Sequence, residues 1–144
     1  MAKQYRVTTS IRLINRLMTT LIRLGVGPGN MHLLTVTGRK SGKRYTTPVS
    51  LVIQDGERFL VSPYGEVNWV RNARAAGKVT ISRGRRIEML RIEELDADSS
   101  APILKQYIAS EAITRPYFDA SPDSPVEDFA REAHRHPVFQ LKPA

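Results

Sequence analysis

The hydrophobic period changes once near the start of the chain, and that change limits what the chain can fold into. From His32 onward the apolar residues alternate, rich in valine, isoleucine and threonine, as in half-buried strands. His32 to Thr37, Tyr45 to Gln54 and Arg58 to Ser62 are three such stretches, and Asp55-Gly56 is a strong hairpin turn between the last two. Lys78 to Arg83 and Arg85 to Leu95 form two more strands around Gly84, and Pro137 to Leu141 closes the series. Pro48 lacks an N–H, so it requires an edge position or a bulge in the second strand. Strands joined by short turns pair antiparallel. Helices are expected at Asn68 to Ala76, from a cap at Ser99 or Ser100 to about Ile113, and at Val126 to His134. Thr114 to Pro125, with three prolines, reads as a loop. Helices do not follow every strand, which argues against a doubly wound parallel sheet. An α+β fold remains: a small barrel of about six mostly antiparallel strands, with helices outside.

Ahead of His32 the period is helical. Thr8, Thr9 and Ser10 offer N-caps, and Ile11, Ile14, Leu17, Met18, Leu21, Ile22 and Leu24 recur at helical spacing. Arg12, Arg16 and Arg23 share the opposite side, and the glycines from Gly25 to Gly29 stop the helix, which spans about residues 9–25. The apolar stripe should pack on the barrel. The arginines are then either solvated or free to meet an anionic membrane.

No linker or repeat divides the 144 residues, so residues 1–144 read as one domain. A formal net charge of +8 favours anionic partners. The absence of cysteine removes disulfides, thiolate metal sites and thiol nucleophiles. No apolar run is long enough to span a bilayer, and the N-terminus lacks the pattern of a signal peptide. The chain is therefore expected in the cytoplasm.

Four cations crowd the turn between the first two strands: Arg39, Lys40, Lys43 and Arg44, with Ser41 among them. Gly38 and Gly42 let its backbone bend and approach a ligand, and cations with free backbone N–H groups make an anion site. The turn is not a P-loop, because three residues rather than four separate its glycines and Arg44 follows Lys43. By spacing alone it is either a solvated basic turn or a phosphate site. A second polar cluster, Asn68, Trp69, Val70, Arg71 and Asn72, opens a helix beyond Val61, Ser62, Pro63 and Tyr64. Asn68 and Asn72 share a helical face; Asn68 is otherwise an N-cap and Trp69 a core anchor. His134 and His136 are close in sequence and His32 is distant, too few ligands for a metal site. Glu93, Glu94, Asp96 and Asp98 read as a solvated acidic run, and Tyr107 and Tyr117 are aromatics of the C-terminal part.

The run from Leu33 to Gly42, followed by Thr47-Pro48, Asp55-Gly56, Asn68-Trp69, Asn72 and Lys78 to Ile81, resembles the deazaflavin-dependent nitroreductase family. These are actinobacterial enzymes related to F420-dependent quinone reductases, and the resemblance covers about residues 30–95. It implies an FMN-binding split-barrel-like fold that binds coenzyme F420 non-covalently. Arg39, Lys40 and Ser41 would grip the phosphate and the oligoglutamate tail. The stretch Tyr45, Thr46, Thr47, Pro48, Val49 and Ser50 would run beside the phospholactyl and ring portions. Val61 to Tyr64 would lie near the ring, and Asn68 to Asn72 would close the pocket. Two positions depart from the family pattern. Tyr45 stands where arginine is frequent, which moves the phosphate contact to Lys43 or Arg44. Pro63 and Tyr64 replace a serine and a lysine, so the substrate-orienting hydroxyl falls to Ser62, Tyr64 or Tyr117.

The expected activity is an F420-dependent oxidoreductase that passes hydride to a quinone, nitroaromatic or activated alkene. The cofactor carries that chemistry, so the chain needs no nucleophile or acid–base pair of its own. An FMN- or haem-binding barrel is the alternative of the same fold, and a module binding nucleic acid or lipid that of another class. Aromatic residues are 7% of the chain with no evident stacking platform, which disfavours nucleic acid. The expected partners are the hydride acceptor, an anionic membrane surface at the inner face of the cell membrane, met through the N-terminal helix, and a second copy in a homodimer.

Overall fold

The computed structural model describes residues 9–27 and 29–144; the cap expected at Thr8 lies outside them. The elements run α1 (Thr9–Arg23), β1 (Met31–Thr37), β2 (Arg44–Gln54), β3 (Glu57–Val61), α2 (Asn68–Ala76), β4 (Lys78–Arg83), β5 (Arg86–Glu94), α3 (Ala97–Ser110), α4 (Val126–Glu132) and β6 (Val138–Pro143). The six strands close into a barrel in the order β1-β2-β3-β6-β5-β4, every neighbour antiparallel. Closure leaves few unpaired backbone edges to attract another chain.

Alternation along the strands sorts the side chains into two cores. Leu34, Val36, Leu51, Leu60, Ile81, Phe139 and Leu141 fill the barrel, joined by Val70 and Ala73 from α2. Val52, Phe59, Val61 and Val138 face outward and meet Ala101, Leu104, Ile108 and Phe129 from α3 and α4. Full burial of each large aliphatic side chain contributes roughly 1.5–3 kcal/mol. The β2–β3 turn holds both Asp55 (φ 54°) and Gly56 (φ 76°) in the left-handed region, the geometry of a hairpin turn with matching twist.

β2 changes neighbours partway along. Residues 44–50 pair with β1, and Leu51 to Gln54 pair with β3. The first half of β2 therefore has a strand partner on one side only, among the described residues. Pro48 lies in that half, at the edge position its missing N–H requires.

Three expectations need correction. The cap of α3 is Asp96, whose carboxylate accepts from Ser99 N–H at 2.8 Å, and the helix ends at Ser110. Asp96 belongs to the run read as merely solvated; one such cap stabilises a helix by about 1 kcal/mol. Residues 112–117, expected mostly as loop, form a 3-10 helix. The largest difference concerns α1, whose apolar stripe packs over only part of its width. Ile22 is buried, but Ile14 and Leu17 are 57% and 62% exposed and Leu24 is also exposed, and Leu13, which the stripe did not include, adds a further exposed apolar side chain at 68%. The end of α1 is anchored by Gly84 N–H donating to Ile22 O at 2.9 Å. Arg83 then holds the α1–β1 connection through the carbonyls of Gly27 (2.9 Å) and Met31 (2.7 Å). Helical periodicity predicted the stripe but not how much barrel lies beneath it.

Candidate functional site

The basic turn is built by its glycines. Gly38 N–H donates to Lys43 O at 2.7 Å, and Gly42 N–H returns to Gly38 O at 3.0 Å. Gly42 sits at φ 70°, which an L side chain rarely adopts. A Cβ on Gly38 would stand 2.7 Å from Tyr45 Cε2 and 2.8 Å from Ser41 Oγ, so the Tyr45 ring lies over bare backbone. Ser41 Oγ and Tyr45 Oη are 3.2 Å apart, and Ser41 Oγ also accepts Lys43 N–H.

One hydrogen-bonded latch joins this turn to α2. Asn72 is buried, and its Oδ1 accepts both Arg39 N–H (3.0 Å) and Arg39 Nη1–H (2.7 Å). The two polar clusters of the sequence thus meet, and the Arg39 side chain serves the latch. Lys40, Lys43 and Arg44 remain exposed, with no ion-pair partner among the described residues. Residues 38–50 and 68–76 contain no acidic residue, so nothing within these segments neutralises the cations.

The open half of β2 runs away from that turn. Tyr45 and Thr46 are exposed and Thr47 to Ser50 half-buried. Thr46 Oγ1 lies 2.9 Å from Thr35 Oγ1, Ser50 Oγ donates to Met31 Sδ, and Val49 packs on the barrel core. On α2, Asn68 and Arg71 are exposed, while Val70 is fully buried in the barrel. The N-cap of α2 is Val67, without a side-chain bond, so Asn68 is not the cap. Trp69 is half-buried against the barrel core, its ring 6.0 Å from that of Phe139.

The other end of the site is the turn after β3. Val61, Ser62 and Pro63 are buried. Ser62 Oγ–H donates to Gly65 O at 2.6 Å, so that hydroxyl is engaged within the turn. Tyr64 and Tyr117 are half-buried, and their rings meet edge to face at 4.8 Å. Tyr107 is buried, and burial raises its phenol far above the usual range, so it stays neutral.

Behind this wall lies a buried polar pair that the sequence reading missed. His136 Nε2 is 2.8 Å from Glu132 Oε1, its Nδ1 is 2.9 Å from Pro63 O, and its ring stacks on Phe118 at 3.8 Å. Burial pushes the His136 imidazole below its usual range, and the bonds to Glu132 and Pro63 oppose that push. His134 is exposed and lies outside this network. The spacing of Glu132 and His136, one helical turn apart, was the available signal, hidden by the nearer pairing of the two histidines. Among the described residues, no three metal-ligating side chains come together.

Two shallow concavities lie elsewhere. One of about 190 Å³, lined by Thr35, Thr37, Arg44, Lys78, Thr80 and Met89 among others, shares only Arg44 with the predicted residues. One of about 270 Å³ sits between Asp119, Ser124, Asp128, Arg131 and Arg135.

A closed six-stranded antiparallel barrel with one open seam and a cationic turn at one end is a split-barrel fold. The family model of F420H(2)-dependent quinone reductases matches residues 7–118, and the chain belongs to that family. It is an oxidoreductase whose cofactor is coenzyme F420. Among solved structures it is similar to an F420-H2 dependent reductase, with 21% identity, 78% of this chain and 94% of that one covered, and a TM-score of 0.53. A FAD-binding protein from Mesorhizobium loti shares 14% identity over 90% of this chain and 88% of that one, at a TM-score of 0.52. A protein described as a domain-swapped dimer shares 18% identity over 93% of this chain and 100% of that one, at 0.57. At these identities the likeness is one of fold. No curated protein matches the chain.

The donor set suits this cofactor. Lys40, Lys43 and Arg44 offer uncompensated positive charge, and the half-paired β2 offers an extended edge.

Proposed function

We propose that this protein reduces a quinone at the cytoplasmic face of the membrane. The observation that carries the reading is the cationic turn latched by Asn72 beside the open half of β2. Lys40, Lys43 and Arg44 would hold the phosphate and acidic tail, with Ser41 and Tyr45 shaping the turn. Thr46 to Ser50 would flank the elongated middle of the cofactor. Val61 to Tyr64 and Asn68 to Asn72 would bound its ring, with Ser62 fixing the turn from within. When bound in its reduced form, the deazaflavin supplies a hydride to the acceptor. The chain's own task is to orient the acceptor and exclude water, which falls to the paired rings of Tyr64 and Tyr117.

The choice of a quinone rests also on α1. Leu13, Ile14 and Leu17 present an exposed apolar strip, and Arg12, Arg16 and Arg23 lie exposed on the adjoining side. A helix with both features lies in the plane of an anionic bilayer, where a lipid-soluble quinone resides. Among the described residues no helix is long and apolar enough to cross a membrane, so contact would be peripheral. Burial of the strip against a second copy is the competing arrangement. Anaerobic turnover of reduced F420 with menadione, a nitroaromatic and an activated alkene tests the acceptor: the highest kcat/KM is expected for menadione. Preference for either other acceptor overturns the quinone assignment.

A further inference from the structure

We infer that His136 is a positioning residue that fixes the acceptor side of the site by tying the turns bearing Tyr64 and Tyr117 to one buried imidazole. Three chain segments meet at that ring. Pro63, immediately before Tyr64, accepts from Nδ1–H. Phe118, immediately after Tyr117, stacks on the ring face at an interplanar angle of 14°. Glu132, on α4, holds Nε2 and also gathers the chain that follows Phe118: its Oε1 and Oε2 accept Asp119 N–H (3.1 Å) and Ala120 N–H (2.8 Å). Tyr64 and Tyr117 are thus each one residue from a direct contact of His136, and their own rings touch.

Proton accounting shows how closely the pair is specified. Pro63 O can only accept, so Nδ1 carries hydrogen. The 2.8 Å contact between Nε2 and Oε1 then needs one further proton, on the ring or on the carboxyl group. His136 and Glu132 are 2% and 3% exposed, where polar groups are costly to bury and apolar side chains of similar size would serve stability as well. What an apolar pair cannot do is fix the Pro63 carbonyl and the Asp119 and Ala120 amides at defined directions. The two tyrosines need that definition to hold a flat acceptor at a fixed distance. The inference rests on the quinone-reductase reading for its functional half only.

His136→Phe keeps a ring on Phe118 and removes both hydrogen bonds. In the folded variant, F420 affinity should stay within about twofold of wild type, while KM for menadione rises about tenfold with little change in kcat, the loss of roughly one hydrogen bond's worth of orientation. His136→Asn, whose amide can reach Pro63 O, should recover part of that loss. An unchanged KM in folded His136→Phe, or equal losses in F420 affinity and menadione turnover, overturns the proposal. Hydrogen–deuterium exchange gives a readout independent of activity. Residues 62–65 and 117–121 should exchange faster in His136→Phe while β4 and β5 do not, and uniform acceleration contradicts the clamp. Absence of quinone turnover in the wild type would sink the functional reading, and the exchange arm would still decide the clamp. Should His136→Phe not fold, Glu132→Gln is read by the same measurements and the same outcomes.

Discussion

Lys40 and Asn72 both serve the cationic turn, yet their replacement should look different. Lys40 is exposed and makes no ion pair among the described residues, so on the proposed placement Lys40→Ala should remove attraction for the coenzyme and little else. One lost charge-assisted contact costs about 1.5–3 kcal/mol, or roughly ten- to a hundredfold in Kd. The Tm should not move, and the effect should shrink as salt rises, because exposed charges are screened. Asn72 is buried and accepts two donors from Arg39. Asn72→Ala leaves Arg39 N–H without its acceptor, so it should lower stability by about 1–3 kcal/mol and weaken coenzyme binding as well. Thermal melts and titrations of the two variants separate holding the turn from holding the ligand. An equal fall in Tm for both would contradict the division.

At the level of elements, α1 carries the boldest expectation. Replacing Arg12, Arg16 and Arg23 with glutamine should weaken binding to anionic vesicles by up to about 3 kcal/mol, roughly 1 kcal/mol for each cation near the surface. Leu17→Glu should weaken it further, and turnover of a soluble acceptor should survive both changes. Co-sedimentation at physiological salt checks this, and a wild type that stays in the supernatant refutes docking; a dimer in size-exclusion would show what covers the strip instead. A smaller effect joins β3 to β5. Arg58 bonds Glu88 through Nη1 and Nη2, each at 3.0 Å, and that pairing holds the Glu88 carboxyl below the usual range. A depressed carboxylate adds stability above its unfolded pKa, and the gain fades as pH falls through the lower folded value. Both partners are about a third exposed, so Arg58→Gln should cost no more than about 1 kcal/mol at neutral pH, and nothing once acid has protonated Glu88. Denaturant melts at neutral and acid pH read the difference.

Across the whole molecule, the barrel was legible because alternation and turn chemistry act locally. Asp55-Gly56 declared its hairpin, Pro48 declared an edge, and each strand was placed to within about two residues. What stayed hidden depends on contacts distant in sequence. Nothing near Arg39 announces that Asn72 will take its guanidinium. The spacing of His136 and Glu132 gives no hint that Pro63 and Phe118 will close around them. The exposure of Leu13 and Leu17 follows from how little barrel surface α1 covers, which periodicity does not encode. The basic turn was the partial exception: its glycines and cations are contiguous, so the sequence displayed the turn itself, though not the Asn72 that latches it.

The central claim is that this turn reads the acidic phosphate and tail of F420 rather than a flavin ring alone. Trp69 is the single tryptophan and lies on α2, the helix that carries Asn68 and Asn72, so its fluorescence should report cofactor bound at the proposed site. The direct measurement is a titration at low salt with F420, with its tail-less deazaflavin riboside and with FMN. F420 should quench Trp69 and bind at least about tenfold more tightly than either of the others, a difference of about 1.4 kcal/mol that narrows as salt is added. Equal affinity for F420 and the tail-less riboside, or tighter binding of FMN, would contradict the account.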